Sequence, residues 1–198
     1  MMKKSASWDK SGFVNAEDVD FSDGHAVLKA ALQNEVRGRE LYAQYARAVS
    51  SPVAKRVFVY LANAELNHIE DIKLFIKSLK TLNIDGEDDI DIARMVKSGG
   101  NLDSQKLFFG KLVSELNEQV HPTDDDNKSR EVAMEIEKAG YEYYREAAES
   151  ATDESLKKFF EWLTEQEQGH YMLIRNAYEY ASNPDSWFAG EEHWLLEG

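Results

Sequence analysis

The chain repeats itself at an offset of 102 residues, with no gap needed to keep the two copies in register. The offset lays Ala31 on Ala133, Glu35 on Glu137, Gly38 on Gly140 and Tyr42 on Tyr144. Farther along it lays Phe58 on Phe160, Leu61 on Leu163, Glu65 on Glu167, His68 on His170 and Ile72 on Ile174. A repeat of this length means that one supersecondary unit occurs twice, so the fold must accommodate two like modules. Within each module apolar residues recur at three- and four-residue spacing rather than in alternation, and only three prolines and eleven glycines punctuate the 198 residues. The spacing predicts four long helices, over Gly24–Ser50, Pro52–Lys80, Lys128–Ala151 and Asp153–Ala181. Ser51 reads as an N-cap with Pro52 at the first helical position, and Asp153 as the cap of the fourth helix. Ser51 also falls on Asp153 at the same offset, so the repeated module is a tightly turned helical hairpin.

The rest of the chain joins these modules. It divides into an N-terminal arm (1–23), a first hairpin (24–80), a crossover (81–127), a second hairpin (128–181) and a C-terminal tail (182–198), together one domain of an all-α class. In the crossover, Asp103–Val120 is expected to form a short amphipathic helix ended by Pro122, while the acid runs Glu87–Asp89 and Asp124–Asp126 read as solvated loops. Trp187, Phe188, Trp194, Leu195 and Leu196 in the tail are expected to fold back on the bundle, because exposed they would invite aggregation.

The inward faces carry the chemistry. Ala31, Glu35, Gly38 and Tyr42 share one helical stripe, as do Phe58, Leu61, Glu65, His68 and Ile72, and both stripes recur in the second half. Glu35 lies 16 residues before Ser51, and Glu65 and His68 lie 14 and 17 after it. These separations correspond to roughly 24, 21 and 26 Å from the turn, so the three side chains meet at one level. The repeat sets Glu137, Glu167 and His170 at the same level around Asp153. If the hairpins pack by approximate two-fold symmetry, all six groups converge. Four ionised carboxylates buried together are prohibitive unless protonated or neutralised, and two divalent cations cancel four negative charges. One Glu from each of two helices plus Glu-x-x-His from each of the other two is the ligand set of dinuclear carboxylate bundles. Mixed carboxylate and imidazole ligation favours two iron ions, with manganese or zinc as alternatives.

A single Glu-x-x-His is a weak signal, since such a pair is commonly a solvated contact one turn apart. A third copy, Glu118–His121, stands before Pro122 without a matching glutamate and reads as incidental. What separates the two site copies from it is their place on core stripes, each with a glutamate at the same height on the neighbouring helix. Tyr42 and Tyr144 follow Glu35 and Glu137 by two turns, positions from which they either pack or supply a hydrogen bond or an electron near the metals. Gly38 and Gly140, each costing its helix up to about 1 kcal/mol, imply that space is wanted beside those glutamates. His25 and His193 have no such partners and read as surface residues.

Composition narrows the function. The chain contains no cysteine, which excludes disulfides, thiolate metal sites and cysteine nucleophiles. A formal charge of −14 opposes binding to a phosphate backbone, so no nucleic-acid partner is expected. No apolar run spans a bilayer and Met1–Lys10 has no signal-like apolar stretch, so no membrane partner is expected and a cytoplasmic location is.

The pattern Ala-x3-Glu-x6-Tyr followed by Leu-x3-Glu-x2-His occurs as Ala31/Glu35/Tyr42 with Leu61/Glu65/His68, and again as Ala133/Glu137/Tyr144 with Leu163/Glu167/His170. In this the chain resembles the rubrerythrin branch of the ferritin-like superfamily. The terminal Pro184–Phe188 and Leu196–Gly198 also look like rubrerythrin tails. The resemblance implies a ferritin-like four-helix bundle, a non-haem di-iron site reacting with hydrogen peroxide or dioxygen, and a homodimer. Two departures stand out. Rubrerythrins proper carry a cysteine-ligated rubredoxin domain, so this chain would need an external electron donor such as a rubredoxin. They also carry a further carboxylate one turn after the third-helix ligand, where this chain has Gly140. The expected function is therefore a di-iron peroxidase. A ferroxidase or iron-handling protein and a non-catalytic di-metal scaffold are the alternatives.

Overall fold

The computed structural model describes residues 12–85, 102–115 and 123–183, and every regular element among them is helical. A single 3₁₀ turn, Ala16–Asp18, precedes five helices: α1 (Gly24–Ala48), α2 (Pro52–Asp85), α3 (Leu102–Glu115), α4 (Asp124–Ser150) and α5 (Glu154–Ser182). Asp23 caps α1 by accepting from the amides of His25 and Ala26. Ser51 accepts from the Ala54 amide at 3.3 Å, and Asp153 from that of Leu156 at 2.8 Å, as the capping pattern predicts.

Two apolar clusters hold the bundle, and their membership gives its symmetry. One joins Leu41, Tyr42 and Tyr45 of α1 to Val57, Phe58 and Leu61 of α2, near the turn of the first hairpin. The same cluster takes in Ala133 of α4 and Leu173, Ile174 and Ala177 of α5, from the open end of the second. The other inverts this relation: Val27, Leu28 and Ala31 with Ile72 and Phe75 meet Tyr143, Tyr144, Phe159, Phe160 and Leu163. Each hairpin is therefore antiparallel, and the turn of one lies against the open end of the other. Tyr42 stacks on Phe58 at 6.1 Å between ring centroids, and Tyr144 stacks on Phe160 at 6.3 Å, an equivalence across the repeat. Between the two clusters lies the level at which the ionisable residues were expected.

Two features differ from the sequence reading. The second hairpin begins at Asp124 rather than Lys128, and the run Asp124–Asp126 is not a solvated loop. Asp126 is the third residue of a capping box with Thr123, and its carboxylate accepts from the amides of Ser50 at 2.8 Å and Ser51 at 3.3 Å. It is buried because it ties the first hairpin's turn to the second hairpin's start. The crossover helix α3 is described over Leu102–Glu115, and the rest of the expected Asp103–Val120 lies outside the described residues. Its buried Gln105 lies so close to Gly169 that an added Cβ there would stand 2.1 Å from Oε1, so only glycine permits this approach. His121, His193, Glu87–Asp89, Glu118 and the tail aromatics lie outside the described residues, whereas His25 is exposed as expected.

Candidate metal centre

Glu35 on α1, Glu65 and His68 on α2, Glu137 on α4, and Glu167 and His170 on α5 come together midway along the bundle, none more than 5 % exposed. Helical spacing puts each pair on the inward stripe, and the head-to-tail packing of the hairpins brings the two triads face to face. The imidazoles stack with centroids 5.2 Å apart and 23° between planes, and both turn Nδ1 toward the carboxylates. His68 Nδ1 lies 3.4 Å from Glu35 Oε2, and His170 Nδ1 lies 3.4 Å from Glu137 Oε2. Across the hairpins, His68 Nδ1 lies 3.6 Å from Glu167 Oε1 and His170 Nδ1 3.8 Å from Glu65 Oε1. One ligand atom each from Glu65, His68, Glu167 and His170 lie within 4.8 Å of one another. Trp162 packs edge-on against His68 at 5.8 Å and backs its ring.

The tyrosines cross over. Tyr42 Oη donates to Glu137 Oε1 at 2.5 Å, and Tyr144 Oη donates to Glu35 Oε1, so each half of the repeat orients the glutamate of the other. Both hydroxyls are held well above their ordinary pKa by burial and then by the charges of Glu137 and Glu35, respectively, so they remain donors. Each engages one carboxylate oxygen and leaves Oε2 facing the adjacent imidazole.

Without metal, protons on Glu65, Glu167 and His68 offset part of the buried charge. Burial, then the neighbouring Glu35 charge, pushes the Glu65 carboxyl well up, and burial with the Glu137 charge does the same to Glu167. Burial acts against both members of the Glu35–His68 pair, but partners outweigh it. Hydrogen bonds from Glu65 and His68 hold Glu35 at about 2, and the bond to Glu35 with the surrounding carboxylates raises His68 to about 9. Even so, Glu137 Oε2, Glu167 Oε1 and His170 Nδ1 are buried and make no hydrogen bond. Buried polar atoms of this kind require a partner, and three from three different residues around one point fit metal ligation. The donor set, four carboxylates and two imidazoles, suits iron, manganese or zinc.

A cavity of about 330 Å³ opens between α1 and α4 and reaches Glu35, Glu65 and Glu167 past Gly38 and Gly140. One wall is the chain around Val14, which the sequence did not mark. Val14 N donates to Asn34 Oδ1 at 2.7 Å and Asn34 Nδ2 donates to Val14 O at 3.3 Å, clipping the segment beside Glu35. Asn34 has Ile136 as its counterpart in the repeat, so duplication pointed away from it. Among the described residues no helix is long and apolar enough to cross a membrane.

Comparison with known proteins matches residues 26–178, which contain all six ionisable residues and both tyrosines, to the family model described as rubrerythrin. No curated protein and no solved structure matches.

Proposed function

The chain belongs to the rubrerythrin family, and from that premise we propose that it is a non-haem di-iron oxidoreductase that reduces hydrogen peroxide with electrons from a separate donor. The observation that carries this reading is the pseudo-symmetric cluster of four carboxylates and two imidazoles, in which three buried ligand atoms make no hydrogen bond. Glu35, Glu65, His68, Glu137, Glu167 and His170 would hold the two ions. When bound, an iron pair supplies the two electrons and the Lewis acidity needed to split an O–O bond. The protein's own part is positional. Tyr42 and Tyr144 keep Glu137 and Glu35 turned so that one oxygen of each faces the centre. The apolar clusters above and below exclude water, and the cavity between α1 and α4 gives a reactant access to Glu35 and Glu167. Hydrogen peroxide takes two electrons and two protons and leaves as two waters. Because the chain holds no cysteine, the electrons come from a separate one-electron donor such as a rubredoxin.

The test begins with metal analysis of natively purified protein, which should give two irons per chain. Anaerobically reduced protein mixed with stoichiometric peroxide in a stopped-flow spectrophotometer should oxidise faster than with dioxygen, and should stop after one cycle unless the donor is supplied. Dioxygen outpacing peroxide, with iron accumulating beyond two per chain, would make the protein a ferroxidase; zinc in the native site would make it a scaffold. Glu137→Ala should hold less than one metal per chain with unchanged helical circular dichroism. Full metal content in that variant would remove Glu137 from the ligand set.

A further inference from the structure

The cavity is larger than hydrogen peroxide needs. A water molecule occupies about 30 Å³ of liquid, whereas this space, at about 330 Å³, is in the range of sites for small organic ligands. Its walls differ from its floor. Phe13 and Val14 on one side and Ile136 and Ala139 on the other are apolar, while the floor is Glu35 and Glu167, the latter with Oε1 buried and making no hydrogen bond. Glu135, Glu142 and Glu146, all exposed, ring the mouth along α4. Such a rim disfavours an anionic reactant.

We infer that this cavity binds a neutral organic hydroperoxide, with the organic group along the Val14–Ala139 walls and the hydroperoxide end at the Glu35–Glu167 floor. The inference rests on the peroxide-reducing reading and extends its substrate class. The O–O bond is cleaved with two electrons from the same one-electron donor and two protons from solvent, and the products are an alcohol and water. The clip between Val14 and Asn34 keeps the apolar wall in place, and Gly38 and Gly140 keep the passage to the floor open.

Two measurements on the full-length, metal-loaded protein test this. The first is binding of 2-phenyl-2-propanol, the redox-inert alcohol product of cumene hydroperoxide, read by saturation-transfer NMR on the zinc-loaded protein. The second is the rate at which the reduced di-iron protein is oxidised by cumene hydroperoxide and by hydrogen peroxide. Ala139 lines the cavity wall on α4 and is exposed, so Ala139→Trp narrows the space for the organic group and Ala139→Leu narrows it less. The wild type should bind the alcohol, and at least tenfold more tightly than its 4-carboxylate derivative. Ala139→Trp should weaken that binding at least tenfold and slow the cumene hydroperoxide reaction at least tenfold more than the hydrogen peroxide reaction, with Ala139→Leu intermediate. A wild type that reduces hydrogen peroxide but neither binds the alcohol nor reacts with cumene hydroperoxide overturns the inference and leaves the peroxidase reading intact. Equal slowing of both peroxides by Ala139→Trp, or equal binding of the carboxylate, overturns it too. Binding of the alcohol without reaction toward either peroxide overturns both readings together.

Discussion

Gly38 and Gly140 occupy equivalent places in the repeat yet meet different surroundings. A Cβ at Gly38 would lie 3.8 Å from the Glu65 carboxyl carbon, ordinary van der Waals contact. At Gly140 it would lie 2.7 Å from Glu167 Oε2 and 3.1 Å from the carboxyl carbon, so Glu167 must move. Replacing a helical glycine by alanine where there is room gains about 0.5–1 kcal/mol. Gly38→Ala should therefore raise the melting temperature of the metal-free protein by about 2 °C. Gly140→Ala should show no such gain, and should weaken metal binding at least tenfold in a competition titration against a chelator. Equal effects at the two positions would mean that Glu167 is free to swing aside.

The element most exposed to a single change is the start of α4. Asp126 closes the capping box with Thr123 and also accepts from the Ser50 and Ser51 amides, so one carboxylate both caps a helix and docks the other hairpin. Asp153 serves only as a cap, through the Leu156 amide. Loss of a cap costs about 1 kcal/mol, and leaving a partner amide unpaired costs about 1–3 kcal/mol more. In urea unfolding, Asp126→Ala should destabilise by about 2–3 kcal/mol and Asp153→Ala by about 1 kcal/mol. Similar losses from both would mean that the link between the hairpins contributes little.

For the molecule as a whole, the site links stability to pH and to metal. In the metal-free protein Glu65 and Glu167 hold protons more tightly than their ordinary value of 4.5, and His68 does so at about 9 against 6.5. Groups raised in this way favour the folded state at low pH. The glutamate contribution is lost as pH rises above 4.5, and the histidine contribution between 6.5 and about 9. Glu35, held at about 2, acts oppositely, its contribution lost only as pH falls from 4.5 toward 2. The melting temperature of metal-free protein should thus decline from pH 5 to pH 9, by on the order of 5 °C. Metal replaces the protons, so the loaded protein should lose that decline, and Glu167→Gln should flatten it without metal. A metal-free protein whose stability rises over this range would show that the carboxylates are ionised and apart.

What lies within a hairpin was legible in the sequence. A helix has a fixed rise and period, and Ser51 and Asp153 mark the turns, so counting residues set Glu35 level with Glu65 and His68, and Glu137 level with Glu167 and His170. Burial of so many carboxylates then required protons or metal, whatever the packing. What lies between hairpins was decided by tertiary structure alone, because no local spacing encodes how two modules dock. Docking sent Tyr42 to Glu137 and Tyr144 to Glu35 rather than to the glutamates on their own helices. It turned Asp126 from an apparent surface acid into a buried link and laid the Val14 segment over a groove that the repeat does not predict. Periodicity determines which side chains face inward; only the contact between the two modules determines which partner each one finds there.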